Sequence, residues 1–294
     1  MKNKKKGNSA RRFLKTSRTF IIFGNNFLKI GFGRIFEAID IENNLKVSLK
    51  ERKKNDKRSI ENWKKEIENL KRIEKEIPNL ITPKIKNILD ENKTSLSLNE
   101  SAKQKYLVME WVEGKDFTCI RNLFQKFSSE KEKEIELSRL IYILLDELSK
   151  MHLAKFLHRD IKLENLMFLE KNNQFFYIFI DFGSSFHIED PIHSRIATAS
   201  PPFSPPEQNS EKECFLSDVY SLGVCFEKVF NIISFKSKIS PLLIEMISSM
   251  KKREIENRIS VEKCKEIIQK FLQQELDKEF SEEKFKNQSN LFKF

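Results

Sequence analysis

Two short stretches in the second half of the chain decide the fold prediction. The first is His158-Arg159-Asp160-Ile161-Lys162-Leu163-Glu164-Asn165, and the second is Asp181-Phe182-Gly183, which begins sixteen residues after Asn165. A predicted strand, Phe175 to Ile180, leads directly into the second stretch. Either stretch alone would occur by chance in many chains. The two in this order, with a strand just before the second, form a far more specific pattern.

The segments outside these stretches alternate between strand and helix patterns. The longest helical stripe precedes the first stretch and consists of Leu137, Leu140, Ile141, Leu144, Leu148 and Met151. An earlier helix, which Ser59 can cap, is predicted from the spacing of Ile60, Trp63, Ile67 and Leu70. Residues 19–50 are expected to form short extended pieces, 84–104 a lengthened polar loop, and Tyr106 to Val112 a strand.

This order of elements predicts an α+β protein with a smaller strand-rich lobe followed by a larger helical lobe. We expect a basic, disordered tail at 1–18, one domain at 19–272 and a C-terminal extension at 273–294. Within the domain, the strand-rich lobe is expected at 19–112 and the helical lobe at 113–272. A cleft between two such lobes is a common ligand site.

The two stretches resemble the catalytic loop and the metal-binding triplet of the eukaryotic-type protein kinase family. The resemblance covers about residues 20–272 and implies transfer of the γ-phosphoryl group of ATP, with Mg²⁺, to Ser or Thr hydroxyls of protein substrates. It implies that Asp160 is the catalytic base and that Lys162 contacts the transferring phosphate. Asn165 and Asp181 would hold the metal ions.

The same resemblance places the nucleotide on residues from both lobes. Lys50 is expected to hold the α- and β-phosphates and to pair with Glu66 on the following helix. The glycine-rich loop departs from the family pattern, because Leu28 and Ile30 stand where two glycines are usual. Side chains there should weaken the phosphate cradle without abolishing it. The expected nucleotide-contacting positions are Gly31, Gly33, Ile35, Ser48, Lys50, Glu66, Met109, Glu110, Val112, Asp116 and Met167.

The segment from Asp181 to Glu207 resembles a kinase activation segment. Arg159 beside the catalytic Asp indicates control by a phosphate on this segment, added by an upstream kinase or by autophosphorylation, with Ser194 and Thr198 as candidate sites. Ser200 is expected to contact the base and Lys162. Helical residues 217–223 are expected to anchor the catalytic loop, and Glu207 is expected to pair with Arg258.

The composition limits the classes of function. The formal net charge of the 294 residues is +11, and the first eighteen hold eight basic residues and no acid. That tail could be a nuclear-localisation signal, a contact to nucleic acid or an anionic membrane, or a solvated extension. Four scattered cysteines indicate neither a disulfide framework nor a zinc site. Without a long apolar run or signal peptide, we expect no membrane span and a nuclear or cytoplasmic location.

Three hypotheses remain open at this point. An active Ser/Thr kinase is favoured because Lys50, Asp160, Lys162, Asn165 and Asp181 are all present. The altered glycine loop leaves open a pseudokinase that acts as a scaffold or allosteric partner. The basic tail leaves open a nucleic-acid-binding module, which would show a steep salt dependence of binding.

Overall fold

The computed structural model describes residues 12–15, 19–30, 33–52, 56–90, 104–191, 196–235 and 240–276. They divide into two compact units. The first unit holds the described residues up to Lys71 together with Pro83–Val112. The second unit holds Arg72–Thr82 and the described residues from Glu113 onward. The strand-rich first unit and the largely helical second unit confirm the predicted α+β class.

The first unit is built on a six-stranded antiparallel sheet. Its strands are β1 (Arg12–Lys15), β2 (Thr19–Ile30), β3 (Gly33–Asp40), β4 (Leu45–Arg52), β5 (Ile85–Asp90) and β6 (Gln104–Glu110). They lie in the order β1-β2-β3-β4-β6-β5. Alternate side chains point to one face, where Ala38, Val47, Leu49, Leu89 and Val108 form a buried apolar cluster.

Two parts of this sheet differ from the sequence prediction. β1 pairs with β2 inside the segment expected to be a disordered tail, whereas residues 1–11 and 16–18 lie outside the described residues. β5 lies inside the segment expected to be a loop, and residues 91–103 of that segment lie outside the described residues. The prediction of a loop at 85–90 was wrong because three polar residues, Lys86, Asn87 and Asp90, interrupt the apolar residues of this strand and hide its pattern, although Leu89 is buried in the apolar cluster.

Helix α1 (Lys57–Glu76) follows β4 and buries Trp63, Ile67 and Leu70, as its spacing predicted. Its N-terminal cap differs from the prediction. The carboxylate of Asp56 accepts hydrogen bonds from the backbone N–H and from the hydroxyl of Ser59, each at 2.9 Å. Ser59 is therefore a hydrogen-bond donor within the first turn, and Asp56, rather than Ser59, caps the start of the helix.

The second unit contains two small sheets and five helices among its described residues. The strands are β7 (Gly114–Asp116), β8 (Phe156–Leu157), β9 (Leu166–Lys171), β10 (Gln174–Phe179) and β11 (Phe186–His187). The helices are α2 (Ile120–Phe124), α3 (Glu130–Leu153), α4 (Phe215–Ile233), α5 (Pro241–Met250) and α6 (Val261–Leu276). Within the ranges that the structure describes, no helix combines the length and apolarity that crossing a bilayer requires.

Helix α3 is the central helix of the second unit. Ser129 and Glu132 form a reciprocal capping box at its start, and its predicted apolar stripe from Leu137 to Met151 is fully buried. The chain then enters β8, which leads directly into the stretch that begins at His158. Helix α4 packs on α5 at Gly223, where an added Cβ would lie only 2.7 Å from the Cβ of Met250.

Candidate active site

The catalytic loop, residues 158–165, is fixed at its start by Asp218 of helix α4. The backbone N–H groups of His158 and Arg159 donate to the two carboxylate oxygens of Asp218 at 2.8 and 2.9 Å. His152 Nε2 lies 3.2 Å from the same carboxylate. Burial alone would raise the pKa of Asp218, but the hydrogen bonds from His152 and from the backbone N–H of Arg159 lower it. The ionised carboxylate therefore anchors the loop, as predicted for this part of helix α4.

Asp160 lies in this loop with its carboxylate held by three donors. Oδ1 accepts from the hydroxyl of Ser200 at 2.7 Å. Oδ2 accepts from Lys162 Nζ at 2.7 Å and from Asn165 Nδ2 at 3.0 Å. These bonds fix the rotamer of the carboxylate, so it is held in one orientation in which it can align a hydroxyl group. The contacts of Ser200 with Asp160 and, at 3.3 Å, with Lys162 Nζ match the sequence prediction.

Asn165 presents an oxygen that has no protein partner among the described residues. Its Nδ2 donates to the backbone carbonyl of Asp160 at 2.8 Å, which fixes the orientation of the amide. Its Oδ1 is buried and accepts no hydrogen bond within that part of the chain. The backbone N–H of Ile180 donates to the Asn165 carbonyl at 2.9 Å, which joins the loop to the residue before Asp181. Mg²⁺ prefers hard oxygen ligands, and the amide oxygen of Asn165 and the carboxylate of Asp181 are both of this kind.

Asp181 has a left-handed backbone, with φ of 61°, and Arg159 has φ of 70°. Few residues other than glycine adopt such angles, and those that do cluster at functional sites. Phe182, the residue after Asp181, packs against the ring of His158 with centroids 5.0 Å apart. Burial lowers the pKa of His158 despite the opposing charges of Asp218, Asp160 and Asp181, so the ring stays neutral in the folded chain.

In the first unit, Lys50 and Glu66 form a buried ion pair, as predicted. Lys50 lies on β4, opposite Ile35 on β3 and Leu107 on β6, and Glu66 lies on α1. Both side chains are almost completely inaccessible to solvent. The sheet therefore holds an ammonium group in a fixed place, where it could contact phosphate oxygens.

The remaining predicted nucleotide positions fall into two groups, one in each unit. Gly33 begins β3, Ser48 lies opposite Met109, and Glu110 pairs with Lys86 at 2.7 Å. In the second unit, Asp116 and Met167 are cross-strand partners on β7 and β9. Gly31 lies outside the described residues, and Val112 ends the first unit.

The Asp116 carboxylate also has a local structural role. It accepts the backbone N–H of Thr118 at 2.9 Å and so caps the short helical turn that follows it. The sequence prediction gave Asp116 only a place near the ribose, and a contact of that kind stays a prediction.

The comparison with known proteins agrees with this geometry. The family model described as Protein kinase domain matches residues 29–289, which is most of the chain. The chain belongs to the protein kinase family. Its kinase domain includes the pair of Lys50 with Glu66, the loop around Asp160 and the segment around Asp181.

Individual kinases are similar to parts of the chain. Death-associated protein kinase 2 of Homo sapiens is 32% identical over 145 residues, which cover 48% of this chain and 37% of that protein. Serine/threonine-protein kinase 33 of Mus musculus is 29% identical over 159 residues, which cover 53% of this chain and 29% of that protein. Serine/threonine-protein kinase PknA of Nostoc sp. is 29% identical over 132 residues, covering 42% of this chain and 22% of that protein. These matches thus span well under half the length of each relative.

The end of the kinase activation segment is fixed by a buried ion pair. Glu207 receives hydrogen bonds from Arg258, at 2.6 and 3.2 Å, and from the hydroxyl of Ser217 at 2.7 Å. Burial alone would raise the pKa of Glu207, but these bonds lower it. The predicted pairing of Glu207 with Arg258 is confirmed.

Sequence reasoning missed one ion pair of this kinase site. Arg159 pairs with Glu213, at 2.8 Å between Nε and Oε1, and both side chains are 1% exposed. No signal in the sequence singled out Glu213 from the other 42 acidic residues, because it lies outside every motif. Thr198, a predicted phosphorylation site, is described by the structure, whereas Ser194 lies outside the described residues.

Proposed function

We propose that this chain is an ATP-dependent protein kinase that transfers the γ-phosphoryl group of ATP to Ser or Thr hydroxyls of protein substrates. The observation that carries the proposal is the carboxylate of Asp160, which Ser200, Lys162 and Asn165 hold by hydrogen bonds. A carboxylate fixed in this way can orient a hydroxyl group and accept its proton.

In this proposal, Asp160 is the catalytic base. The substrate hydroxyl donates a hydrogen bond to the Asp160 carboxylate, which aligns the oxygen for attack on the γ-phosphorus and takes up its proton as the new P–O bond forms. Lys162, whose ammonium group already lies beside Asp160, stabilises negative charge on the phosphoryl oxygens. The leaving group is ADP, so the reaction balances as ATP and hydroxyl giving ADP, phosphoester and a proton.

Asn165 and Asp181 fit the requirements of the metal site. The buried Oδ1 of Asn165, which has no hydrogen-bond donor among the described residues, and the carboxylate of Asp181 would hold Mg²⁺. The metal ion, when bound, neutralises charge on the phosphate oxygens. In the first unit, Lys50 would contact the α- and β-phosphates, and its pairing with Glu66 keeps the ammonium group in place.

Two observations support Ser and Thr as the acceptors. Lys162 stands two residues after Asp160, which is typical of Ser/Thr-specific kinases in the family that the sequence resembles. Several similar proteins bear the name serine/threonine-protein kinase. The intact hydrogen bonds around Asp160 support phosphotransfer over a purely scaffolding role.

Phosphoamino-acid analysis would test the proposal. The purified chain would be incubated with labelled ATP, Mg²⁺ and generic acceptor proteins, and the label would be assigned to Ser, Thr or Tyr. We expect label on Ser and Thr, and its loss with Asn165→Ala but not with Asn231→Ala, which changes an exposed Asn on helix α4. Label on Tyr alone would contradict the assigned acceptors. Equal activity of the Asn165→Ala variant and the unaltered chain would contradict the metal assignment.

A further inference from the structure

All five N–H donors of the Arg159 guanidinium have acceptors within the protein. Nε and Nη2 donate to the two carboxylate oxygens of Glu213 at 2.8 and 3.1 Å. Nη2 also donates to Oδ1 of Asn209 at 3.2 Å. Nη1 donates to the backbone carbonyls of Ser184 and Ile196 at 3.3 and 2.7 Å. The side chain therefore has no donor left for another anion.

This network reaches the activation segment through Asn209. The side chain of Asn209 accepts the backbone N–H of Thr198 at 3.0 Å and donates to the carbonyl of Thr198 at 2.6 Å. Its own backbone N–H donates to Glu213 at 3.3 Å. The backbone N–H and the backbone carbonyl of Thr198 are thus both held by Asn209. Thr198 lies only two positions before Ser200, which contacts Asp160.

At the centre of the network, two side chains of opposite charge, Arg159 and Glu213, are buried together. Arg159 and Glu213 form a two-pronged ion pair, the strongest geometry available to these side chains. In kinases whose activation segment becomes ordered on phosphorylation, a new phosphate on the segment pairs with Arg. Here a carboxylate of the chain itself already occupies the position that such a phosphate would need.

We propose that Glu213 is a positioning residue that takes the place of an activating phosphate, so that the kinase works while its activation segment is unphosphorylated. The inference rests on the proposed function. Glu213 acts through Arg159, which precedes the base Asp160, and through Asn209, which holds Thr198. A phosphate brought to Arg159 would have to displace Glu213 and would meet its negative charge.

The first test uses the full chain after phosphatase treatment, with intact mass showing that no phosphate remains. We expect its initial rate to lie within about twofold of the untreated protein, and a Ser194→Ala/Thr198→Ala double variant to behave in the same way. Glu213→Gln should lower kcat about tenfold or more and leave KM for ATP within about twofold, since a charged hydrogen-bonded pair is lost away from the nucleotide. Glu213→Asp should recover part of kcat.

Glu211→Gln is the matched control, because Glu211 is an exposed acid two residues earlier in the chain. It should leave kcat unchanged. Loss of activity on phosphatase treatment, restored by phosphate on Ser194 or Thr198, would overturn the inference while leaving the proposed function intact. An effect of Glu213→Gln no larger than that of Glu211→Gln would also overturn it.

The second test does not depend on activity. Hydrogen exchange should show protection of the Thr198 backbone amide in the dephosphorylated chain and its loss in Glu213→Gln but not in Glu211→Gln. Absence of protection in the dephosphorylated chain would overturn the inference. A chain that transfers no phosphate in any form would contradict the proposed function, and the exchange measurement would still decide whether Glu213 holds the segment.

Discussion

The hydroxyl of Ser200 donates a hydrogen bond to Oδ1 of Asp160 at 2.7 Å, although forty positions separate the two residues. Ser200 belongs to the segment that ends at Glu207, and Asp160 belongs to the loop that Asp218 anchors. The bond therefore couples the placement of the activation segment to the orientation of the base.

Replacing Ser200 should affect chemistry more than folding. We expect Ser200→Ala to lower kcat about ten- to a hundredfold, because a hydrogen bond to a charged group is worth about 1.5–3 kcal/mol. Ser200→Thr keeps the hydroxyl and should retain most of the activity. Steady-state phosphotransfer with saturating ATP would measure both variants. Equal losses in the two variants would show that the hydroxyl is not what matters at this position.

The losses of stability on replacing Lys50 and Glu66, which form a buried ion pair, should not be additive. Lys50→Met removes the ammonium group from a buried carboxylate and should reduce the free energy of unfolding by about 3–5 kcal/mol. The double variant Lys50→Met/Glu66→Leu should recover much of that loss, because it buries neither charge. Urea unfolding of the two single variants and the double variant would give the coupling energy. Strictly additive losses would contradict a direct interaction.

Gly223 should tolerate no side chain at the contact between α4 and α5. In Gly223→Ala the new methyl group would lie 2.7 Å from the Cβ of Met250 and 3.1 Å from Cγ of Lys251. We expect a loss of about 1–3 kcal/mol of stability from this overpacking, despite the higher helix propensity of Ala. Ser248→Ala, on the exposed face of α5, is the control and should leave the thermal midpoint nearly unchanged. A stabilised Gly223→Ala variant would contradict the packing described.

His158 should make the stability depend on pH. Burial lowers its pKa in the folded chain, and its Nε2 has no hydrogen-bond partner among the described residues. Below about pH 6.5 the unfolded chain takes up a proton at His158 that the folded chain does not, so stability falls as the pH falls. His158→Phe should reduce that slope by at most about 1.4 kcal/mol per pH unit. The free energy of unfolding of both proteins, measured between pH 7.5 and 5, would check this prediction. Identical slopes against pH in the unaltered chain and the variant would contradict it.

The sequence predicted those parts of the site whose residues lie close together in the chain. Asp160, Lys162 and Asn165 fall in one loop, and their contacts follow once the loop is recognised. The stripe of α3 was equally visible, because burial on one face of a long helix leaves a regular apolar spacing.

The contacts that escaped prediction join residues that are distant in sequence or lack a pattern. Glu213 lies 54 positions from Arg159, and nothing local distinguishes a buried acid from a surface acid in a chain so rich in charge. β1 was hidden because its four residues include two basic ones and lie in a segment with no acid. Pairing with β2, rather than local preference, accounts for the strand at Arg12–Lys15.

The most direct test of the account compares phosphotransfer by the unaltered chain and by Asp160→Asn. The amide keeps the shape of the side chain but cannot take up a proton, so the variant should stay folded and lose about 10²- to 10⁴-fold in kcat. Transfer of labelled phosphate to Ser and Thr by the unaltered chain, with that loss in the variant, is the result we predict. Equal transfer by both proteins, or none by the unaltered chain with ATP and Mg²⁺, would contradict the claim that Asp160 is the base of a protein kinase.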